Sequence, residues 1–82
     1  MIDRAIASLT PKQVRGARAM LQMNQDDLAA RASVPRSAIA AFEAEERSPR
    51  PATIAKLRTA LEEAGAIFIE TEAGSGVIVA QD

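Results

Sequence analysis

The chain has 82 residues, enough for one compact domain, with ten Lys and Arg against eleven Asp and Glu and neither cysteine nor histidine. The missing thiols and imidazoles exclude disulfides, thiolate or imidazole metal sites and histidine-based catalysis. A domain of this size buries a modest share of its surface and gains stability from a partner subunit. The formal net charge of −1 hides an uneven distribution. Residues 1–58 hold all ten bases and six acids, which leaves +4, whereas residues 59–82 hold five acids and no base, which leaves −5. A basic body with an acidic end is compatible with one surface that faces nucleic acid and one turned away. No apolar run approaches the roughly 18 residues of a membrane span. Met1-Ile2-Asp3-Arg4 has no apolar stretch behind it, so the expected compartment is the cytoplasm, with association to the nucleoid.

Thr10-Pro11-Lys12-Gln13 reads as a helix start: Thr10 caps, Pro11 suits the first helical position, and Gln13 completes a capping box. Val14, Ala17, Arg18 and Leu21 recur at helical spacing, so the first helix is expected to run to about Gln22. Asn24 is a second N-cap, with Asp26 and Asp27 near the positive end of the helix dipole and Leu28, Ala29 and Ala32 as the inner stripe. Ser33-Val34-Pro35 ends that helix and Pro35 opens a third one. On the third helix Ala38, Ile39 and Phe42 face inward, and Arg36, Ser37, Ala40, Ala41 and Ala44 lie opposite. A polar loop, residues 45–50, precedes a fourth helix that begins at Pro51, turns Ile54, Leu57, Leu61 and Ala64 inward, and is closed by Gly65.

After Gly65 the period changes. Residues 66–70 and 77–80 are β-branched and apolar and flank a glycine-containing loop, residues 71–76, which predicts a β-hairpin. Gly74-Ser75-Gly76 lacks the lysine and helix start of a phosphate-binding loop, so it reads as the turn. Residues 1–9 form a short leading helix or an arm. The expected fold is therefore mainly α, with four to five short helices followed by a C-terminal β-hairpin. It divides into a helical body, residues 1–65, and a hairpin, residues 66–82, that serves as a dimerisation element.

Two short helices joined by a tight turn within a bundle suggest a helix-turn-helix. Residues 10–64 resemble the Cro/repressor (XRE) helix-turn-helix family, through Gln25, Leu28-Ala29, Val34, Ile39 and Glu43 at their spacings and the Arg47-Ser48-Pro49 that follows. The resemblance implies that Gln25 binds a DNA phosphate and steadies the recognition helix, with Asn24 beside it at the backbone. It implies that Arg36, Ser37 and Ala41 meet base edges and that Arg47 and Arg50 approach phosphates. It also implies that Arg18 and Glu43 pair to tie the first helix to the third. Three positions depart from the family pattern. Ser33 replaces the glycine common in the turn and calls for an ordinary backbone region there; Pro35 replaces a Ser or Thr cap; Ala44-Glu45 replaces Asn-Gly.

On the outward stripe Arg36 alone can make a bidentate contact to guanine, while the small Ala40, Ala41 and Ala44 let the helix sit deep against thymine methyl groups. The hairpin offers Ile67, Phe68, Ile69, Val77, Ile78 and Val79, more apolar surface than one small domain covers, so these are the expected dimer contacts. The reading is a homodimeric repressor of double-stranded DNA operators, with no cofactor, no metal site and no enzymatic activity. Two alternatives share these features: an antitoxin-type autoregulator that also holds a toxin, and an adaptor that uses the same fold to bind protein.

Overall fold

The computed structural model describes residues 9–80. The chain runs α1 (Pro11–Leu21), α2 (Gln25–Ala32), α3 (Arg36–Glu43), α4 (Pro51–Glu63), β1 (Ala66–Thr71) and β2 (Gly74–Val79). The fold is mostly helical, with four helices among the described residues and a two-stranded C-terminal hairpin. The expectation for residues 1–8 lies outside the described residues; Leu9 is buried.

The first two helices begin where local chemistry favours it. Thr10 Oγ1 accepts from the Gln13 amide while the Gln13 side chain accepts from the Thr10 amide. Asn24 and Asp27 make the same reciprocal box at α2. Each box satisfies donors that a helix start otherwise leaves open. By contrast, α3 and α4 start without any side-chain cap, behind Pro35 and Arg50. Pro35 stands just outside α3 as its N-cap residue and does not form its first turn.

Helices α1 and α2 end on left-handed residues, Gln22 at φ 56 and Ser33 at φ 57. This corrects the expectation of ordinary backbone at Ser33. The chain must reverse within the turn so that the Val34 amide reaches the Ala29 carbonyl at 3.1 Å, and only a left-handed residue allows that closure. After α3 the positive φ falls on Glu45, at 62, where the Ala44-Glu45 departure had left the helix end open.

One core holds the helices together. Val14, Leu28, Ile39, Leu57 and Leu61 are fully buried, joined by Met23, Val34, Phe42 and Ala60. Each of these larger apolar side chains contributes about 1.5–3 kcal/mol on burial. Ile54 and Ala64 of the expected α4 stripe are only half-buried, and Ala60 takes a core place that the stripe omitted.

The hairpin is antiparallel, with Ala66 opposite Val79, Ile67 opposite Ile78 and Phe68 opposite Val77. Pairing continues to Thr71 and Gly74, so the loop is two residues, Glu72 and Ala73, and not the six expected. Gly74 makes this possible with φ +146, a conformation L-residues rarely adopt. The hairpin packs on both α1 and α4. Gly16 of α1 lets β2 approach so closely that an added Cβ would stand 3.4 Å from Val77 Cγ1. Gln13 Nε2 donates to the Gly76 carbonyl at 2.9 Å and faces the Ile69 carbonyl at 3.4 Å. On the α4 side the Arg58 guanidinium lies 5.2 Å from the Phe68 ring centre.

Candidate nucleic-acid interface

The position of α3 is fixed by a polar network centred on Glu43, which is 5% exposed at the last turn of that helix. Arg18 of α1 grips the carboxylate with both ends of its fork: Nε to Oε2 and Nη2 to Oε1, each at 2.7 Å. Its remaining Nη1 donates to the Met23 carbonyl in the α1–α2 loop at 3.0 Å. Gln25 of α2 donates its amide to Glu43 Oε1 at 3.0 Å. Arg15, one turn before Arg18, donates to the Glu43 main-chain carbonyl and lies 3.9 Å from Glu45. Side chains of α1 and α2 therefore converge on a single residue of α3, with the α1–α2 loop joined through Arg18, and bidentate charged bonds of this kind are directional as well as strong. Burial pushes the Glu43 carboxyl up, but hydrogen bonds from Arg18 and Gln25 and the charges of Arg18 and Arg15 outweigh it, so its pKa is lowered. The hydrogen bond to Glu43 raises the Arg18 pKa against its own burial. Both groups stay charged at neutral pH.

Sequence reasoning placed Arg18 with Glu43 and gave Gln25 to a phosphate. It did not find Arg15, whose only signal is its position three residues before Arg18 on a helix. Nor did it foresee that Gln25 spends one amide hydrogen on Glu43, which leaves the other for a ligand. Glu43 sits on the buried side of α3 with Ile39 and Phe42, a place that an apolar pattern alone does not assign to a carboxylate.

The opposite face of α3 opens to solvent at its N-terminal end. Arg36 and Ser37 are exposed, whereas Ala40 and Ala41 are half-buried and Ala44 is exposed. Arg36 is paired with Asp26 of α2, Nε to Oδ1 at 3.4 Å, with both side chains open to water. The Asn24 side chain is occupied as the α2 cap, so its free capacity lies in its second lone pair and its amide hydrogens. Arg47 and Arg50 are exposed in the loop between α3 and α4. The structure thus brings Arg18, Gln25 and Glu43 into contact, and leaves Arg36, Ser37, Arg47 and Arg50 on open surface.

The six apolar hairpin residues divide by register. Phe68 and Val77 pack against the core and Val79 is half-buried beside Ala66. On the other face Ile67 and Ile78 stand opposite each other, 55% and 48% exposed, with Ile69 half-buried along the same strand face. Among the described residues no group of carboxylates is placed to hold a metal ion, and no helix is long and apolar enough to cross a membrane.

Two successive short helices, the second held by a buried pair with its outer N-terminal surface free, define a helix-turn-helix. The helix-turn-helix family model matches residues 14–64, more than half of the chain, so the protein belongs to that family, of the XRE type, and is a DNA-binding transcription regulator. Among solved structures the chain is similar to the wild-type restriction-modification controller protein, with a TM-score of 0.62 and 22% identity. That alignment covers 73% of this chain and 79% of the controller protein, and at this identity it speaks for the fold. No curated protein matches the chain closely enough to count as a relative.

Proposed function

We propose that the protein is a homodimeric repressor that reads a near-palindromic operator with α3 and acts by occluding a promoter. The observation that carries this reading is the contrast between the two sides of α3. Its inner side is pinned by Glu43, and its outer side presents Arg36 and Ser37 to solvent on the first turn. A helix docked in the major groove reads bases from that stripe near its N-terminus. Arg36 contacts guanine, Ser37 reads adaptably, and Ala41 allows close approach to thymine methyl groups. Asn24, Gln25, Arg47 and Arg50 contact the DNA backbone and set the register. So few polar readers assign part of the specificity to DNA shape and deformability.

Dimerisation through the hairpin supplies the two-fold symmetry. Ile67 and Ile78 form the contact patch, and pairing of a second chain along an outer strand edge would add to it. Two α3 helices then lie in successive major grooves about 34 Å apart. A protein partner such as a toxin would compete for the same patch. Such a regulator works in the cytoplasm, on the nucleoid.

Selection from a random duplex pool tests this reading. The expected product is an enriched site with two inverted halves. Absence of enrichment, or a single asymmetric site, overturns it. Arg47→Ala and Arg50→Ala should weaken binding to all sequences alike and each lower the salt slope by about one.

A further inference from the structure

Two acids stand in the first turn of α2, beside the place where Gln25 would meet a phosphate, and they differ in what they do. Asp27 has a structural task, since its carboxylate accepts from the Asn24 amide and closes the capping box. Asp26 takes no part in the cap. The contact it makes is with the Arg36 guanidinium, across the turn between α2 and α3. A carboxylate that far forward on a DNA-facing surface repels phosphate, so it weakens binding to every sequence alike.

We propose that Asp26 is a positioning residue for base reading: it steers Arg36 so that the guanidinium faces a guanine edge and not the nearest phosphate. This rests on the reading of Arg36 as a base contact. The geometry that supports it is the place of closest approach. Asp26 Oδ1 meets Arg36 at Nε, on the inner part of the guanidinium, at 3.4 Å. The two terminal nitrogens are left to form the two parallel hydrogen bonds that guanine O6 and N7 accept. Arg36 is 60% exposed and its long side chain is otherwise free to choose among many rotamers. Asp26 narrows that choice from a neighbouring helix whose own start is fixed by a full capping box. Because the carboxylate also repels phosphate, it penalises the competing arrangement. Orientation and repulsion act in one direction: affinity for random DNA falls and discrimination rises.

The test compares pools selected by the wild type, Asp26→Ala, Asp26→Asn, Arg36→Ala and the Asp26→Ala/Arg36→Ala double variant, with melting curves to confirm folding. In the wild type one position per half-site should demand guanine, and Arg36→Ala should flatten it. Asp26→Ala should lower that preference by about threefold to fivefold, the scale of an exposed ion pair. It should also bind random duplex more tightly and with a steeper salt dependence. Asp26→Asn keeps the oxygen but not the charge, so it should fall between. In the double variant the Asp26 substitution should change nothing at that position. If Arg36→Ala flattens the position while Asp26→Ala leaves it intact, or weakens all sequences equally, Asp26 only stabilises its helix and this proposal fails alone. If Arg36→Ala flattens no position, the reading of Arg36 fails and the role of Asp26 with it.

Discussion

Replacing Arg18 with methionine removes the charge and the fork but keeps most of the volume. Glu43 would then remain 5% exposed with Gln25 as its side-chain hydrogen-bond partner and Arg15 held on its main-chain carbonyl. Breaking a buried pair from one side costs about 3–5 kcal/mol. The surviving Gln25 bond and the nearby Arg15 charge place the expected loss at the lower end, about 3 kcal/mol. A domain of this length has a total stability of about 4–12 kcal/mol, so the variant keeps little margin. At about 4–8 °C per kcal/mol for a domain of this size, the melting temperature should fall by about 12–24 °C. Thermal unfolding followed by circular dichroism at neutral pH measures it. A double variant, Arg18→Met with Glu43→Leu, should recover much of the loss, because no unpaired charge is left in the core. The pH profile adds a second check. The folded pKa of Glu43 is lowered, so its contribution is complete above the ordinary glutamate value and is lost as the pH falls through the folded one. The wild type should lose more stability below about pH 4 than Glu43→Gln does. An Arg18→Met protein that melts within about 2 °C of the wild type would show that the pair does not hold α3, since less than 1 kcal/mol would then be at stake.

Three further outcomes follow from other parts of the fold. Ile67→Lys or Ile78→Lys places a charge on the exposed strand face, and should give a monomer by sedimentation at micromolar concentration with a near-native circular dichroism spectrum; an unchanged dimer would move the interface elsewhere. These point variants are cleaner than deletion of residues 66–82, which would strip Val77 from α1 and leave the Gln13 amide without its carbonyls. Gln13→Ala should cost about 1–2 kcal/mol through the α1 cap and the hairpin contact together, with faster amide exchange in β1 and β2; exchange confined to the α1 terminus would show that the hairpin bonds carry nothing. Ser33→Gly should raise stability by about 1 kcal/mol, because Ser33 holds a left-handed conformation that favours glycine; a lower melting temperature would contradict the turn geometry.

What could be read from the sequence was local. Thr10 with Gln13, and Asn24 beside its acids, announced two helix starts because a capping box is contained within four residues. Period change after Gly65 announced the hairpin for the same reason. The long-range parts were hidden. Gln13 has one sequence signature, as a cap, and its reach to carbonyls of residues 69 and 76 depends on how α1 meets the sheet. Glu43 was paired with Arg18 through the family resemblance alone, and only packing explains why it is buried. Arg15 and the Asp26–Arg36 pair depend on angles between helices, which no periodicity encodes. The conformation at Ser33 was misjudged because the residue type argued for ordinary backbone while closure of the turn decided otherwise.

The most direct test of the central claim, that α3 reads bases through its first turn, is the affinity of Arg36→Ala for the selected site and for random duplex at one salt concentration. The expected result is a loss of about 1–3 kcal/mol on the selected site and a much smaller loss on random DNA. Equal losses on both would make Arg36 a phosphate contact and contradict it.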